Sequence, residues 1–191
     1  MSTFEFISVL LSIVVGLGLA RLLSGVGRIV EIRRRVRFYW VQGVWVINII
    51  LLLVVFWWAT LFSHAENDVW PFLNFLLLLV YSILIFLEAV LILPTDLEEG
   101  ADLEVHFFEV RPWFFSLLAL TSVAELFDTL LHGGWARVVG FGPYYMGIIL
   151  CGVVINSIAA RTDNRRYHGV VAIGFFLSMV GWILVGFPEI G

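Results

Sequence analysis

Six apolar stretches, at about 4–23, 39–62, 71–93, 112–131, 143–160 and 169–187, divide almost the whole chain. Each is close to the length a helix needs to cross a bilayer, because a hydrocarbon core of about 30 Å takes roughly 20 residues at 1.5 Å each. Lipid offers no hydrogen-bond partner to the backbone, so a crossing segment must satisfy its own amides, as a helix does. A β-barrel would alternate apolar and polar residues, and these stretches do not alternate. The fold class expected is therefore an all-α integral membrane protein, one transmembrane domain over 1–191 built as a six-transmembrane-helix bundle. Composition agrees. Residues are 61% hydrophobic and only 14% charged, against about a quarter charged in a soluble domain. Too little polar material remains to clothe a water-facing surface.

All 11 basic side chains are arginine, and they are segregated along the chain. Alternation through six spans puts the first, third and fifth connectors on one side. The first carries Arg21, Arg28, Arg33, Arg34, Arg35 and Arg37, the third Arg111, and the fifth Arg161, Arg165 and Arg166; only Arg137 falls opposite. Arginine-rich loops stay in the cytoplasm, so the N-terminus and C-terminus are both expected outside, with the chain in a bacterial inner membrane. Tyr39, Trp40, Trp57, Trp58, Trp70, Trp113, Tyr144 and Tyr145 fall near span ends, where amphipathic rings settle. MSTFEF lacks a positive n-region and no cleavage site follows, so the first stretch reads as a retained span. Cys151 is the one cysteine, which excludes an intrachain disulfide and a CxxC site.

The third connector, 94–111, is acidic: Asp96, Glu98, Glu99, Asp102, Glu104 and Glu109. Leu103, Phe107 and Val110 recur within it at helical spacing, which suggests a short amphipathic helix along the membrane surface. The basic first connector is expected on the same side. The two either pair or remain separately solvated, and exposed ion pairs are individually weak.

In the first span, Ser8, Ser12, Gly16, Ala20 and Ser24 follow one another at intervals of four. Such a row makes a shallow groove that another helix can approach closely, so it reads as a packing seam toward another span or a second subunit. The first helix is expected to run on past the membrane or along its surface. There Arg28, Arg33, Arg34, Arg35 and Arg37 set topology and attract lipid headgroups, each worth about 1 kcal/mol near the surface. Nucleic acid is not an expected partner of so short a patch beside a bilayer.

The fourth span ends SVAELFDTLLHGG, which places Glu125, Asp128 and His132 on one helical face. Glu125 falls roughly 20 Å along from Pro112, and Gly133–Gly134 is the expected helix end. An ionisable group at that depth faces the protein interior or a wet cavity. Three uses compete: a proton or cation relay, a divalent-metal site of Glu125, Asp128 and His132, and a structural polar cluster. Glu88 lies deep in the third span, nearer the arginine-rich side. Asn48, Asn74 and Asn156 add polar groups that either line a path with the acids or glue helices together. Among the histidines, His64, His106, His132 and His168 lie in connectors or at span ends, so a mid-membrane haem pair is not expected. No HExxH, GxSxG, GxxxxGK[ST] or TVGYG occurs.

The leading expectation is thus proton, ion or small-solute handling by buried carboxylates. The alternative is a non-catalytic structural or accessory subunit, and an intramembrane metal-dependent enzyme comes third. No cofactor is expected apart from that divalent ion. The partners expected are the lipid bilayer and either further copies of the chain or a membrane complex.

Overall fold

The computed structural model describes residues 3–64, 71–142 and 144–186, with their side chains except at 3–5, 62–64, 132, 144 and 185–186. Trp70 therefore lies outside the described residues. Six helices follow in order: α1 (Thr3–Glu31), α2 (Trp40–His64), α3 (Phe72–Leu91), α4 (Leu103–Gly140), α5 (Tyr144–Ala159) and α6 (Arg165–Gly186). Five are long and apolar enough to cross a membrane. The fifth expected span is the exception: α5 has 16 residues and reaches spanning length only as a broken span together with Gly133–Gly140. The chain is an all-α membrane bundle.

Helix pairs α3–α4, α4–α5, α1–α3 and α2–α6 carry most of the packing. Leu11, Leu22, Trp45, Ile49, Leu53, Ile85, Phe114 and Phe115 are fully buried among them. Large apolar side chains such as Leu17, Leu23, Leu120 and Leu177 point outward, a surface that suits lipid and would be costly in water.

Two boundaries differ from the sequence reading. The acidic connector ends at Asp102, not at 111. Asp102 caps α4 by accepting hydrogen bonds from the backbone N–H groups of Glu104 (2.9 Å) and Val105 (3.2 Å). These bonds, that from Val105 first, hold its carboxyl below the usual range. Leu103 and Phe107 are buried rather than spread along a surface, so His106 and Arg111 lie within the helix that continues into the fourth span. Pro112 resembles a helix start because proline suits a first turn. Instead it sits inside α4, where the packing of Phe107 on Tyr39 and His168 outweighs one missing backbone bond. Similarly, α6 begins at Arg165 rather than 169, capped by Asn164, whose side chain accepts from the backbone of Arg166 and Tyr167.

Other expectations hold. Helix α1 runs on to Glu31. At Gly134, φ 58° and ψ −158° interrupt α4 where the glycine pair was expected to end it, a conformation that costs a residue with a Cβ heavily.

The three arginine-bearing connectors meet at one end of the bundle. Arg37 and Asp102 form a short parallel bridge. Its rungs run from Arg37 N–H to the Ala101 carbonyl (3.0 Å) and from Leu103 N–H to the Arg37 carbonyl (3.1 Å). Gly100, at φ 92°, turns its N–H onto the Arg35 carbonyl, 2.6 Å away. Side chains reinforce the junction. Arg35 pairs with Glu99, Arg37 with Asp102 at 2.9 Å, Arg165 with Glu104 at 2.6 Å, and Arg111 with Asp163. Of the two readings of these charges, the basic and acidic connectors do pair.

Candidate functional site between α3 and α4

Antiparallel packing of α3 on α4 buries one face of each. On α3 that face holds Tyr81, Ser82, Ile85, Glu88 and Ala89. On α4 it holds Phe114, Leu118, Thr121 and Ala124, spaced by three and four as a helix face requires. Two cross-helix hydrogen bonds connect the polar members. The Thr121 hydroxyl donates to Glu88 Oε1 at 2.6 Å, and both residues are buried. About one turn further along α4, the Tyr81 hydroxyl donates to Glu125 Oε2 at 2.9 Å. The Tyr81 ring packs at a tilt of 50° against Phe56 of α2, centroids 4.8 Å apart, which orients the phenol. Glu88 Oε2 is buried and has no hydrogen-bond partner among the described residues.

The two acids thus share one interface, and each is held by a hydroxyl from the opposite helix. Asp128 is half-buried beyond Glu125 on the same helix. The side chain of His132 lies outside the described residues, so the expected trio with Glu125 and Asp128 has no described geometry. Among the described residues, no group of three His, Cys, Asp or Glu side chains is placed to hold a metal ion.

The asparagines are not drawn into this interface by any described bond. Asn48 donates to the Ala172 carbonyl at 3.0 Å, tying α2 to α6. Asn156 is buried on α5. Asn74 sits in the first turn of α3, its backbone bonded to Pro71. Other buried polar groups also act as ties: Gln42 donates to the Ile92 carbonyl at 2.5 Å, and Thr129 meets Tyr145 at 2.6 Å between α4 and α5. Two open grooves, one along α5 and one between α1 and the 94–98 connector, lie away from Glu88 and Glu125.

Sequence reasoning missed Tyr81 and Thr121. Thr121 precedes Glu125 by one helical turn, which marked it as a face neighbour. Tyr81 sits in LLLLVYSILIF, where a lone mid-span hydroxyl was the available signal.

The small-residue row of α1 also has a definite place. Its neighbours Leu11, Val15 and Leu22 pack inward, while Ser12, Gly16, Ala20 and Ser24 are exposed and Ser8 is half-buried. Ser12 accepts a hydrogen bond from Trp57 Nε1 at 2.8 Å. At Gly16 and Ala20 the row is turned away from the bundle, and Ser24 borders the connector that follows α3.

These features define an integral membrane protein whose intramembrane polar groups sit between helices. No family model matches the chain, and no solved structure matches it. It is similar to an H-type subunit of the NADH-quinone oxidoreductase of Rhodopseudomonas palustris (strain BisB18), at 32% identity over 135 residues. That match covers 61% of this chain and spans 40% of the length of the relative.

Proposed function

We propose that this chain is a non-catalytic structural or accessory subunit of a larger membrane assembly. The observation that carries the reading is the outward small-residue face of α1. A methyl group added at Gly16 would meet nothing within 4 Å beyond its own helix backbone, whereas the face of α1 with Leu11, Val15 and Leu22 is packed into the bundle. A second helix can approach such a face closely enough for backbone contact. Two further observations support it. Asn48, Gln42, Tyr81 and Thr121 spend their hydrogen bonds tying this chain's own segments together. The relative with a matching segment is named as a subunit. In this reading the arginine-bearing end faces the cytoplasm of a bacterial inner membrane.

The test is the mass of the protein purified from its own membrane in mild detergent. A stoichiometric foreign subunit is expected, and Gly16→Leu is expected to release it while the thermal unfolding of the chain itself is unchanged. A lone monomer, or an assembly indifferent to Gly16→Leu, overturns the reading.

A second reading, proton or cation handling, is favoured by one specific observation: the buried Glu88 oxygen that accepts from no described donor. A carboxyl at such depth requires compensation from a proton, a cation or a hydrogen bond. Glu125 lies on the facing helix about one turn beyond Thr121, the donor to Glu88, so a relay between the two acids runs along the α3–α4 interface. Proton or monovalent-cation flux into liposomes, abolished by Glu125→Gln in a protein that remains folded, is the expected result. Flux that survives the substitution unchanged rejects this use.

A further inference from the structure

At the arginine-bearing end, α1 and the connector following α3 enclose an open groove of about 420 Å³. One wall is a single face of α1: Arg21, Ser24, Gly25 and Arg28, spaced by three and four. The other wall is the connector, with Asp96 and Glu98. Gly25 lets the walls meet, because a Cβ there would lie 2.7 Å from a Leu93 methyl. Arg21 Nη2 donates to the Leu93 carbonyl at 2.9 Å, and Arg28 Nε to the Leu97 carbonyl at 3.3 Å. These bonds anchor both guanidinium groups in the groove. Arg28 Nη1 also reaches Glu31 at 3.1 Å. A guanidinium has five N–H donors, so both arginines keep donors beyond these bonds.

The charges of the groove are of both signs. The neighbouring acids Glu99 and Asp102 are taken up by Arg35 and Arg37, whereas Asp96 and Glu98 enter none of the described ion pairs. Arg21 and Arg28 lie in the half of α1 nearest the arginine-bearing connectors, with exposed Leu17 and Leu23 beside Arg21 on the outer surface.

We propose that this groove binds the headgroup of a zwitterionic phospholipid bearing a primary amine, a phosphatidylethanolamine. Arg21 and Arg28, with the Ser24 hydroxyl, take the phosphate, and Asp96 and Glu98 take the ammonium group. An anionic headgroup without an amine would meet the two acids unfavourably. A phosphatidylcholine headgroup presents a quaternary ammonium with no N–H to donate, so it loses the hydrogen bonds to the carboxylates. The proposal shares only Ser24 with the small-residue face of the subunit reading and rests on Arg21, Arg28, Asp96 and Glu98, so either can fail without the other.

Native mass spectrometry of the full chain, titrated with phosphatidylethanolamine, phosphatidylcholine and phosphatidylglycerol of identical acyl chains, tests it. Retention of phosphatidylethanolamine is expected to exceed that of either other lipid by about tenfold, the worth of one or two charge-assisted hydrogen bonds. Arg21→Gln with Arg28→Gln is expected to remove that excess. Because those substitutions also release the connector, a second variant is needed: Asp96→Asn with Glu98→Gln, which breaks no described bond and is expected to invert the preference toward phosphatidylglycerol. Soluble phosphoethanolamine at equal concentration is expected not to displace the lipid. Equal retention of the three lipids, an unchanged preference in the Asp96 and Glu98 variant, or displacement by the soluble headgroup would each overturn the assignment.

Discussion

Trp45→Ala is expected to cost the bundle about 3 kcal/mol, the low end of the range for removing a buried aromatic side chain. Trp45 is completely buried and keys three helices together. Its ring lies 5.3 Å from Phe114 and from Phe115 of α4, edge-on in both cases, and 5.3 Å from Phe175 of α6. In lipid the transfer part of the loss shrinks, because acyl chains are as apolar as the core. The lost dispersion contacts and the cavity remain. Trp45 Nε1 makes no described hydrogen bond, so shape rather than polarity holds the site. Trp45→Phe keeps an aromatic ring and leaves a smaller cavity, so it is expected to cost clearly less than the alanine change. Unfolding by SDS titration from mild detergent gives both numbers. If the alanine variant unfolds with the wild type, the three-helix contact does not bear the packing assigned to it.

Thr121→Val is expected to cost about 1–2 kcal/mol, a high value for an interhelical hydrogen bond in a membrane. The reason lies with its partner. One oxygen of Glu88 already lacks a described donor, and valine, which matches threonine in shape, would remove the donor from the other. Thr121→Ser, which keeps the hydroxyl, is expected to behave nearly as the wild type. The decisive measurement is a double-mutant cycle with Glu88→Ala, since two residues in contact give a coupling energy that independent ones do not. A coupling near zero would mean that the α3–α4 hydrogen bond contributes nothing to stability.

The acids themselves were legible in the sequence, because a carboxylate inside an apolar run stands out against its neighbours. Their partners were not. Tyr81 and Thr121 are ordinary residues in apolar runs, and only the register of α3 against α4 places one opposite Glu125 and the other opposite Glu88. The arginine clusters were visible too, but two of the residues read as headgroup ligands, Arg35 and Arg37, are engaged by Glu99 and Asp102. The start of α4 was misplaced by nine residues for a related reason. A cap at Asp102 and an aromatic cluster around His168 decide it, and that cluster assembles residues from α4 and α6 that are far apart in sequence.

What the chain determined by itself is its solvent and its material: long apolar helices in lipid, with the arginine-bearing turns collected at one end. These properties depend on composition and run length, and both can be read in one dimension. Only the tertiary structure decided which side of each helix turned inward. Residues 12, 16, 20 and 24 are spaced alike whether they face the core or the outside, and in lipid both faces of a helix can be apolar at little cost. Packing shape and the few hydrogen bonds between helices then choose the face, and those depend on pairs of residues that no local pattern brings together.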